Sequence, residues 1–257
     1  MKMSQVAAQL YTLKGFTETP ADIASALRRV RAMGYESVQA SGLGPIDDRE
    51  FARILEGEGL KCVATHEPTD TILSSPQRVV EKLKTLNCKY TAVPYPNDVD
   101  LGNAAAVDDY IAKMDAAGRV LAEGGLVLCY HNHHLEFRKL NGKIILDLIY
   151  ERTDPRYLQG EIDTYWVQYG GGDPVGWCRK LKDRLPLLHL KDYMVGDDNN
   201  VIYTDIGAGV FDWNVICAEA ERSGCEWFIV ERDPTPTDPF DSLKASYEFL
   251  KAHVAER

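Results

Sequence analysis

The stretch LVLCYHNHHLEF, residues 126–137, changes from apolar to polar halfway along its length. Its first half has the composition of a buried β-strand. His131, His133 and His134 follow, and Glu136 comes two residues later, so three of the six histidines in the chain lie close together. Because ligands of parallel sheets bind beyond the carboxyl ends of the strands, this stretch predicts a strand that ends at a functional edge.

The remainder of the chain alternates between strand-like and helix-like segments. In residues 20–34, for example, Ile23, Leu27 and Val30 recur at helical spacing and Gly34 ends the run. The predicted strands are residues 6–11, 37–41, 61–66, 90–95, 126–131, 158–163, 186–192 and 227–232. Such alternation implies a parallel sheet. Eight units in 257 residues predict a single (β/α)8 barrel that occupies residues 1–257 as one domain.

An open doubly wound sheet is the alternative to the barrel. The chain contains no glycine-rich nucleotide-binding motif in support of that fold. Residues 195–200 and 233–239 are typical of exposed loops. Both segments follow predicted strands, so in a barrel we expect them at the rim that carries the active site.

Composition narrows the possible partners. The chain carries a formal net charge of −10, and a diffuse negative field disfavours nucleic acid and anionic membranes. We find no signal-peptide pattern and no apolar run of membrane-spanning length. The six cysteines form no C-x-x-C pair, which disfavours a zinc–cysteine site. We expect a cytoplasmic protein with reduced cysteines and a small-molecule partner, and whether it forms a homo-oligomer is left open.

Four consecutive predicted strands end in carboxylates, imidazoles or an amine whose side chains share one face. These residues are His131 and His133, Glu161 and Asp163, His189 and Lys191, and Glu231 and Asp233. Neighbouring strands lie about 4.8 Å apart, so the side chains can converge at the barrel mouth. Carboxylates with imidazole suit Mn²⁺, Mg²⁺, Co²⁺ or Zn²⁺. Structural roles are the alternative, since such a histidine often only packs and such an aspartate often only caps a helix. We favour the metal site because the groups coincide on consecutive strands.

The chain also resembles a known family. The segments that carry the resemblance are YHNHHLEF (130–137), EIDTYW (161–166), LHLKD (188–192), GAGVFDW (207–213) and VERD (230–233). In this order they resemble the sugar phosphate isomerase/epimerase-like barrels of the xylose isomerase and endonuclease IV superfamily. The similarity is greatest to the bacterial branch marked by a Tyr-His-Asn-His-x-x-Glu-Phe segment. It covers nearly the whole chain and is specific for the superfamily rather than for one substrate.

The resemblance implies one divalent ion held by residues of the last four strands. Asp163, His189 and Glu231 match three of the family's ligands. For the first ligand, either His131 stands where many relatives have glutamate, or Glu136 folds back to the ion. We favour Glu136, because it keeps three carboxylates around a hard cation, and we expect Mn²⁺ before Mg²⁺, Co²⁺ or Zn²⁺. Nuclease activity is not expected, since the endonuclease branch uses more histidines than this chain offers.

The resemblance and the residue types both indicate proton chemistry next to a carbonyl group. We predict a metal-dependent isomerase or epimerase of a sugar or ketosugar, in which His131 and His133 transfer protons and Lys191 stabilises the developing oxyanion. The predicted substrate contacts are His66, Glu67, Tyr95 and Trp166. Two alternatives stay open: a lyase or dehydratase of an inosose or 3-keto-glycoside, and a sugar-binding barrel without catalysis.

Overall fold

Eight parallel strands close into a barrel in the computed structural model, which describes residues 1–233 and 237–256. The strands are β1 (Val6–Gln9), β2 (Ser37–Ala40), β3 (Lys61–His66), β4 (Tyr90–Val93), β5 (Val127–His131), β6 (Lys139–Leu140), β7 (Lys143–Ile144), β8 (Leu158–Asp163), β9 (Leu187–Leu190), β10 (Asp192–Val195), β11 (Val201–Thr204) and β12 (Trp227–Val230). The barrel runs through β1, β2, β3, β4, β5, β8, β9 and β12, and β12 pairs with β1 to close it. All eight predicted strands are present, and the predicted (β/α)8 barrel is confirmed.

Helices between the strands form the outer layer of the barrel. They are α1 (Pro20–Ala32), α2 (Asp48–Gly57), α3 (Thr69–Ser74), α4 (Pro76–Thr85), α5 (Ala104–Glu123), α6 (Ile145–Arg152), α7 (Thr164–Tyr169), α8 (Pro174–Lys180), α9 (Trp213–Arg222) and α10 (Pro239–His253). Helix α1 begins where Thr19 and Asp22 cap each other's backbone N–H groups. It ends before Gly34, whose φ of 112° favours glycine. The helices α3, α6, α7 and α8 have only 6 to 8 residues, too few for a clear periodicity in the sequence.

The inward-facing residues of the barrel change from apolar to polar along the strands. An apolar interior cluster consists of Ala7, Val63, Ala64, Tyr90, Ala92, Cys129, Leu187 and Ile229. Two positions further along β1 and β9, Gln9 and His189 are fully buried polar residues. Residues two positions apart in a strand point to the same side, so these polar groups lie above the apolar cluster. The cluster thus closes the barrel from below and leaves a polar floor at its carboxyl end.

An antiparallel hairpin, rather than a loop alone, follows β9. Strands β10 and β11 pair with each other, and the predicted loop at residues 195–200 lies at their connection. The carboxylate of Asp192 accepts hydrogen bonds from Trp213 Nε1 (2.7 Å) and Gly207 N (3.0 Å), which ties the hairpin to the segment before α9. Trp213 is accordingly a core residue. Of the predicted loop at 233–239, residues 234–236 lie outside the described residues.

Two further features bear on the expectations from composition. All six cysteines are buried and unpaired, in agreement with the predicted reduced thiols. Every helix in the described residues is too short or too polar to cross a lipid bilayer.

Candidate active site

Four buried side chains from consecutive barrel strands meet at the carboxyl end of the barrel. They are His131 at the end of β5, Asp163 at the end of β8, His189 in β9 and Glu231 directly after β12. Each offers one nitrogen or oxygen atom, and these atoms all lie within 4.8 Å of one another. We call these four residues the upper group. Their convergence follows from the barrel register, in which Asp163 pairs with His189 across neighbouring strands.

A second set of four residues lies one layer deeper and shares two members with the first. This lower group consists of His66, His131, Glu161 and His189. Glu161 is fully buried, and its Oε2 lies 2.5 Å from His66 Nε2 and 3.4 Å from His131 Nδ1. The sequence places Glu161 on the same strand face as Asp163, among the side chains that converge at the barrel mouth, but did not mark it as a ligand or as a substrate contact.

Two glutamines from the first two strands complete the polar floor. Gln39 Nε2 donates to Glu161 Oε1 (2.5 Å), and Gln39 Oε1 lies 2.7 Å from His189 Nε2. Gln9 Nε2 donates to Gln39 Oε1 over 2.7 Å. The other ring nitrogen of His189, Nδ1, lies 2.7 Å from Glu231 Oε2. Neither glutamine was predicted, because an amide at the end of a strand carries no charge that marks it as a candidate ligand.

The upper group has the properties of a cation site. Asp163 Oδ2 and His131 Nδ1 are buried and have no hydrogen-bond partner, and buried polar atoms without partners are rare. Burial, followed by the nearby charge of Glu231, raises the pKa of Asp163 to about 7. Burial and the neighbouring His189 lower the pKa of His131 to about 4, which keeps its imidazole neutral. The carboxylates of Glu161 and Glu231, in contrast, raise the pKa of His189 to about 10 although burial opposes this, so a cation bound here would replace the hydrogen between His189 Nδ1 and Glu231. Two crowded carboxylates and two imidazoles are ligand types that fit a divalent cation.

The structure does not bring Glu136 to this group. The residue lies in a short 3₁₀ turn, Leu135–Phe137, and is fully buried. Its Oε1 accepts a hydrogen bond from Tyr130 Oη (2.7 Å), and its Oε2 accepts one from His133 N (3.0 Å). Both oxygens thus have partners on the outer side of β5. Of the two alternatives for the first ligand, His131 lies with Asp163, His189 and Glu231, and Glu136 does not.

A cavity of about 540 Å³ opens above the upper group. It is lined by Tyr11, Ser41, His66, Glu67, Pro68, Pro94, Tyr95, His131, His133, Trp166, Lys191, Glu231 and Asp233. All four predicted substrate contacts and all three predicted catalytic residues are in this lining. Trp166 packs against the imidazole of His133, with ring centroids 5.2 Å apart, and Tyr95 contacts the same imidazole edge-on at 5.0 Å. The cavity therefore joins an aromatic wall to the polar floor.

Lys191 is the one buried cation beside the upper group among the described residues. Its Nζ lies 2.7 Å from Asp233 Oδ2 and 3.9 Å from Glu231 Oε1. Burial lowers the pKa of Lys191, but the carboxylates of Glu231, Asp163 and Asp233 raise it by more, so it stays above its ordinary value. The ammonium group also lies 5.0 Å from the Trp166 ring. Lys191 is therefore charged at neutral pH and suited to stabilise an anion rather than to act as a base.

His133, unlike Lys191, is uncharged at neutral pH. Burial, followed by the repulsion of His131 and Lys191, lowers the pKa of His133 to about 2. Its Nδ1 is buried without a hydrogen-bond partner. The side chain is thus an uncharged imidazole facing the cavity. The remaining predicted contact, Glu67, accepts a hydrogen bond from Lys82 Nζ over 3.0 Å at the cavity rim.

Known proteins resemble the chain in sequence and in fold. Inosose dehydratase from Geobacillus thermodenitrificans is 29% identical over 161 residues, 56% of this chain and 53% of that protein, so the match spans about half of that relative. Inosose dehydratase from Geobacillus kaustophilus is 24% identical over 267 residues, 87% of this chain and 85% of that protein. A solved sugar phosphate isomerase/epimerase from Parabacteroides distasonis has the same fold, with a TM-score of 0.83, 24% identity and coverage of 98% of this chain and 99% of that chain.

A family-model match over most of the sequence shows which family the chain belongs to. The family model described as the xylose isomerase-like TIM barrel matches residues 27–253. That range contains every residue of the upper group, and the closed eight-stranded barrel is the fold that the description names. The resemblance predicted from the strand-end segments is thereby confirmed: the chain belongs to the xylose isomerase-like TIM barrel family.

Proposed function

We propose that this chain catalyses proton transfer next to the carbonyl group of a sugar or ketosugar, as an isomerase or epimerase that depends on one divalent cation. One observation carries the proposal: four ligand atoms of the upper group lie within 4.8 Å of one another beneath the cavity, and Asp163 Oδ2 among them is buried without a partner. Side chains in this arrangement suit a cation better than they suit mutual packing, because their carboxylates repel each other.

The residues that would hold the cation are His131, Asp163, His189 and Glu231. Two imidazoles with two carboxylates suit Mn²⁺, Co²⁺ or Zn²⁺, and Mg²⁺ less well, so Mn²⁺ remains the ion we propose. When bound, a divalent cation here would polarise a carbonyl oxygen and a neighbouring hydroxyl oxygen of the substrate and so acidify the C–H between them. Glu136 has no place in this ligand set, because its oxygens are held by Tyr130 and His133.

The chain's own groups can position the substrate and handle the proton. Glu231 faces the cavity and is ionised, since Lys191 and His189 hold its pKa below the usual range despite burial. It is the base that we propose for the proton abstraction. Lys191, held by Asp233, would donate a hydrogen bond to the oxygen on which negative charge develops. Glu231 would return the proton that it has taken, and His133, as an uncharged imidazole on the cavity wall, would hydrogen-bond a hydroxyl group of the substrate.

An uncharged sugar fits the cavity better than a phosphorylated one. The described lining includes the carboxylates of Glu67, Glu231 and Asp233, which repel a phosphate. In the segment 205–213, which could have formed a phosphate turn, Asp212 caps α9 and Asp205 pairs with Arg232 at 2.5 Å. We propose that Trp166 covers an apolar face of the sugar and that His66, Glu67 and Tyr95 contact its hydroxyl groups.

A dehydratase or lyase is the second candidate, and the two relatives named inosose dehydratase favour it. The first step would be the same proton abstraction. It differs in the next step, because a hydroxyl group or an aglycone leaves from the neighbouring carbon and a proton must be supplied to it. Glu231, which takes up a proton in the abstraction and faces the cavity, would supply that proton to the leaving group, so the same residues serve both outcomes.

Proton NMR in D₂O with Mn²⁺-reconstituted protein separates the candidates once the paramagnetic ion is removed by chelation. We expect ketosugars to gain deuterium at a retained carbon next to the carbonyl, without loss of water or of an aglycone. Loss of water from an inosose would establish the dehydratase instead. If no member of a panel of ketosugars, inososes and 3-keto-glycosides exchanges or reacts, while the ion and a sugar both bind, the chain is a binding protein without catalysis.

A further inference from the structure

The polar floor contains a chain of amide hydrogen bonds whose direction is fixed at both ends. It runs from the backbone of Tyr11 through Gln9 and Gln39 to Glu161. The chain consists of three hydrogen bonds, and neither glutamine is among the residues that line the cavity. The glutamines are both completely buried. Their role is therefore to act on the groups above them rather than on a substrate.

The first anchor is a backbone amide. Tyr11 N lies 3.2 Å from Gln9 Oε1, and because a backbone N–H can only donate, this end of the Gln9 amide must be the oxygen. The Gln9 nitrogen therefore faces Gln39 and donates to it over 2.7 Å. The group of Gln39 that receives this bond must be its oxygen.

The second anchor is a carboxylate and gives the same direction independently. The other end of the Gln39 amide lies 2.5 Å from Glu161 Oε1, and an ionised carboxylate can only accept. This end of Gln39 is therefore its nitrogen. The orientation of an amide is usually ambiguous, but here two fixed partners, Tyr11 N and Glu161, agree on it.

This direction determines the state of His189. Gln39 Oε1 lies 2.7 Å from His189 Nε2, and an amide oxygen can only accept, so Nε2 must carry a hydrogen. The other ring nitrogen, Nδ1, faces the carboxylate of Glu231, which also can only accept, so Nδ1 carries a hydrogen as well while no cation is bound. Of the two hydrogens, a cation can replace only the one on Nδ1, because Gln39 holds the one on Nε2. Nδ1 is the atom that faces the upper group, 2.7 Å from Glu231 Oε2 and 3.9 Å from Asp163 Oδ2.

We propose that Gln9 and Gln39 are positioning residues that fix His189 in its Nε2–H tautomer and so direct Nδ1, and the cation, to the upper group. This inference rests on the proposed function, since it concerns the same cation. The inference also indicates which of the two groups binds the cation. Nε2 of His189, the ring nitrogen that faces Glu161, carries a hydrogen and cannot bind an ion, so the lower group lacks a fourth ligand. The lower group then supports the site from beneath, and one ion binds rather than two.

The direct test is ¹⁵N NMR of histidine-labelled wild-type protein titrated with Zn²⁺ as a diamagnetic probe, with the His189 signals assigned from a His189→Gln variant. We expect the loaded protein to show a hydrogen on Nε2 of His189 and a metal-induced shift of Nδ1. A hydrogen on Nδ1 with coordination through Nε2 would overturn the inference and leave the proposed function standing. No shift of any histidine signal, with no binding in calorimetry, would instead overturn the proposed cation site.

Calorimetric titration with Mn²⁺ tests the two glutamines themselves. Gln39→Leu removes the acceptor for His189 Nε2 and should weaken Mn²⁺ binding about 10- to 100-fold, as is usual when the partner of a ligand histidine is lost. Gln9→Leu leaves Gln39 in place and should have a smaller effect. Thr65→Val is the matched control, because Thr65 is a buried polar residue on the adjacent strand whose hydroxyl donates to Thr91 Oγ1, away from the upper group. Equal Mn²⁺ affinity in Gln39→Leu and Thr65→Val, with both variants folded, would contradict the proposed role.

Discussion

Nζ of Lys191 lies 2.7 Å from Oδ2 of Asp233, and both residues line the cavity above the upper group. The pair joins the ends of β9 and β12, which are neighbours in the barrel. Only 2% of the Lys191 side chain is exposed, so its charge acts in a medium that screens it weakly. A charged group fixed in this way does not need to reorganise when an anion develops on the substrate.

We therefore expect Lys191→Met to lower kcat by about 10²- to 10³-fold, the usual loss when a donor to a developing oxyanion is removed. The measurement is steady-state kinetics on the substrate that the D₂O screen identifies. Lys182→Met, at an exposed lysine that precedes β9, should leave kcat unchanged.

The Mn²⁺ affinity of Lys191→Met shows whether the loss of kcat comes from weaker metal binding instead. Lys191 Nζ is 3.9 Å from Glu231 Oε1, so removal of this positive charge should leave Mn²⁺ binding as tight as in the wild type or tighten it. A Lys191→Met protein that binds Mn²⁺ and retains wild-type kcat would show that the lysine only pairs with Asp233, as a structural ion pair.

The choice between His131 and Glu136 as a ligand gives a matched pair of variants. His131→Ala removes a member of the upper group, whereas Glu136→Gln alters a carboxyl group that is bonded to Tyr130 and to His133 N. In calorimetric titration with Mn²⁺, we expect His131→Ala to lose at least about tenfold in affinity, since even an outer partner of a ligand contributes that much. Glu136→Gln should bind Mn²⁺ as the wild type does.

The reverse pattern would restore our first choice from the sequence. If Glu136→Gln lost the ion and His131→Ala kept it, the turn at Leu135–Phe137 would have to rearrange when the cation binds. Both variants keep the apolar interior cluster intact, so thermal unfolding should separate loss of a ligand from loss of the fold.

The sequence was informative wherever side chains follow the alternation of a strand. The eight strands, and the shared inward face of Asp163, His189 and Glu231, follow from the alternation of side chains along each strand. The alternation still holds at Glu231, directly after β12, but it does not extend to Glu136, which lies in a turn well beyond the end of β5. Since β5 ends at His131, nothing in the spacing shows that the turn after it directs the Glu136 carboxylate back toward Tyr130.

Long-range hydrogen bonds were the other feature that the sequence could not reveal. Gln9 and Glu161 lie far apart in the chain, and their link through Gln39 exists only because β1, β2 and β8 face a common interior. The β10–β11 hairpin was missed for a related reason. It is held by the buried carboxylate of Asp192, whose partners Gly207 and Trp213 lie 15 and 21 positions further along the chain.

Glu136 should also make stability depend on pH. Burial raises the pKa of this carboxyl group to about 7, although the hydrogen bonds from Tyr130 and His133 N oppose the rise. The unfolded chain, with a pKa near 4.5, releases this proton at lower pH than the native state does. The contribution of Glu136 to stability is therefore fully present below about pH 4.5 and is lost as the pH rises to about 7, by about 3 kcal/mol in total.

Urea unfolding of the wild type and of Glu136→Gln between pH 4.5 and 8 measures this effect. Relative to Glu136→Gln, the wild type should lose about 3 kcal/mol of unfolding free energy as the pH rises from 4.5, and this loss should level off above about pH 7. The nearest titratable neighbours, Tyr110, Tyr130 and Tyr150, have pKa values raised by burial, so they stay uncharged throughout. A constant difference between the two proteins would mean that the folded protein holds this carboxyl group in its ordinary ionised state.

The loop before α9 offers a last prediction, because Gly209 packs directly on the carboxylate of Asp192. A methyl group on Gly209 would overlap Asp192 Oδ1 and the carbonyl oxygen of Tyr193, and a backbone oxygen cannot move aside without moving the hairpin. We expect Gly209→Ala to lower the free energy of unfolding by about 1–3 kcal/mol, as other overpacked sites do. Because Asp192 follows Lys191 in the chain, the same change should reduce kcat.

Ala208→Ser, at an exposed position of the same loop, should alter stability by less than about 0.5 kcal/mol. Equal urea midpoints for the two variants would show that the loop yields to the added methyl group and does not hold Asp192 in place.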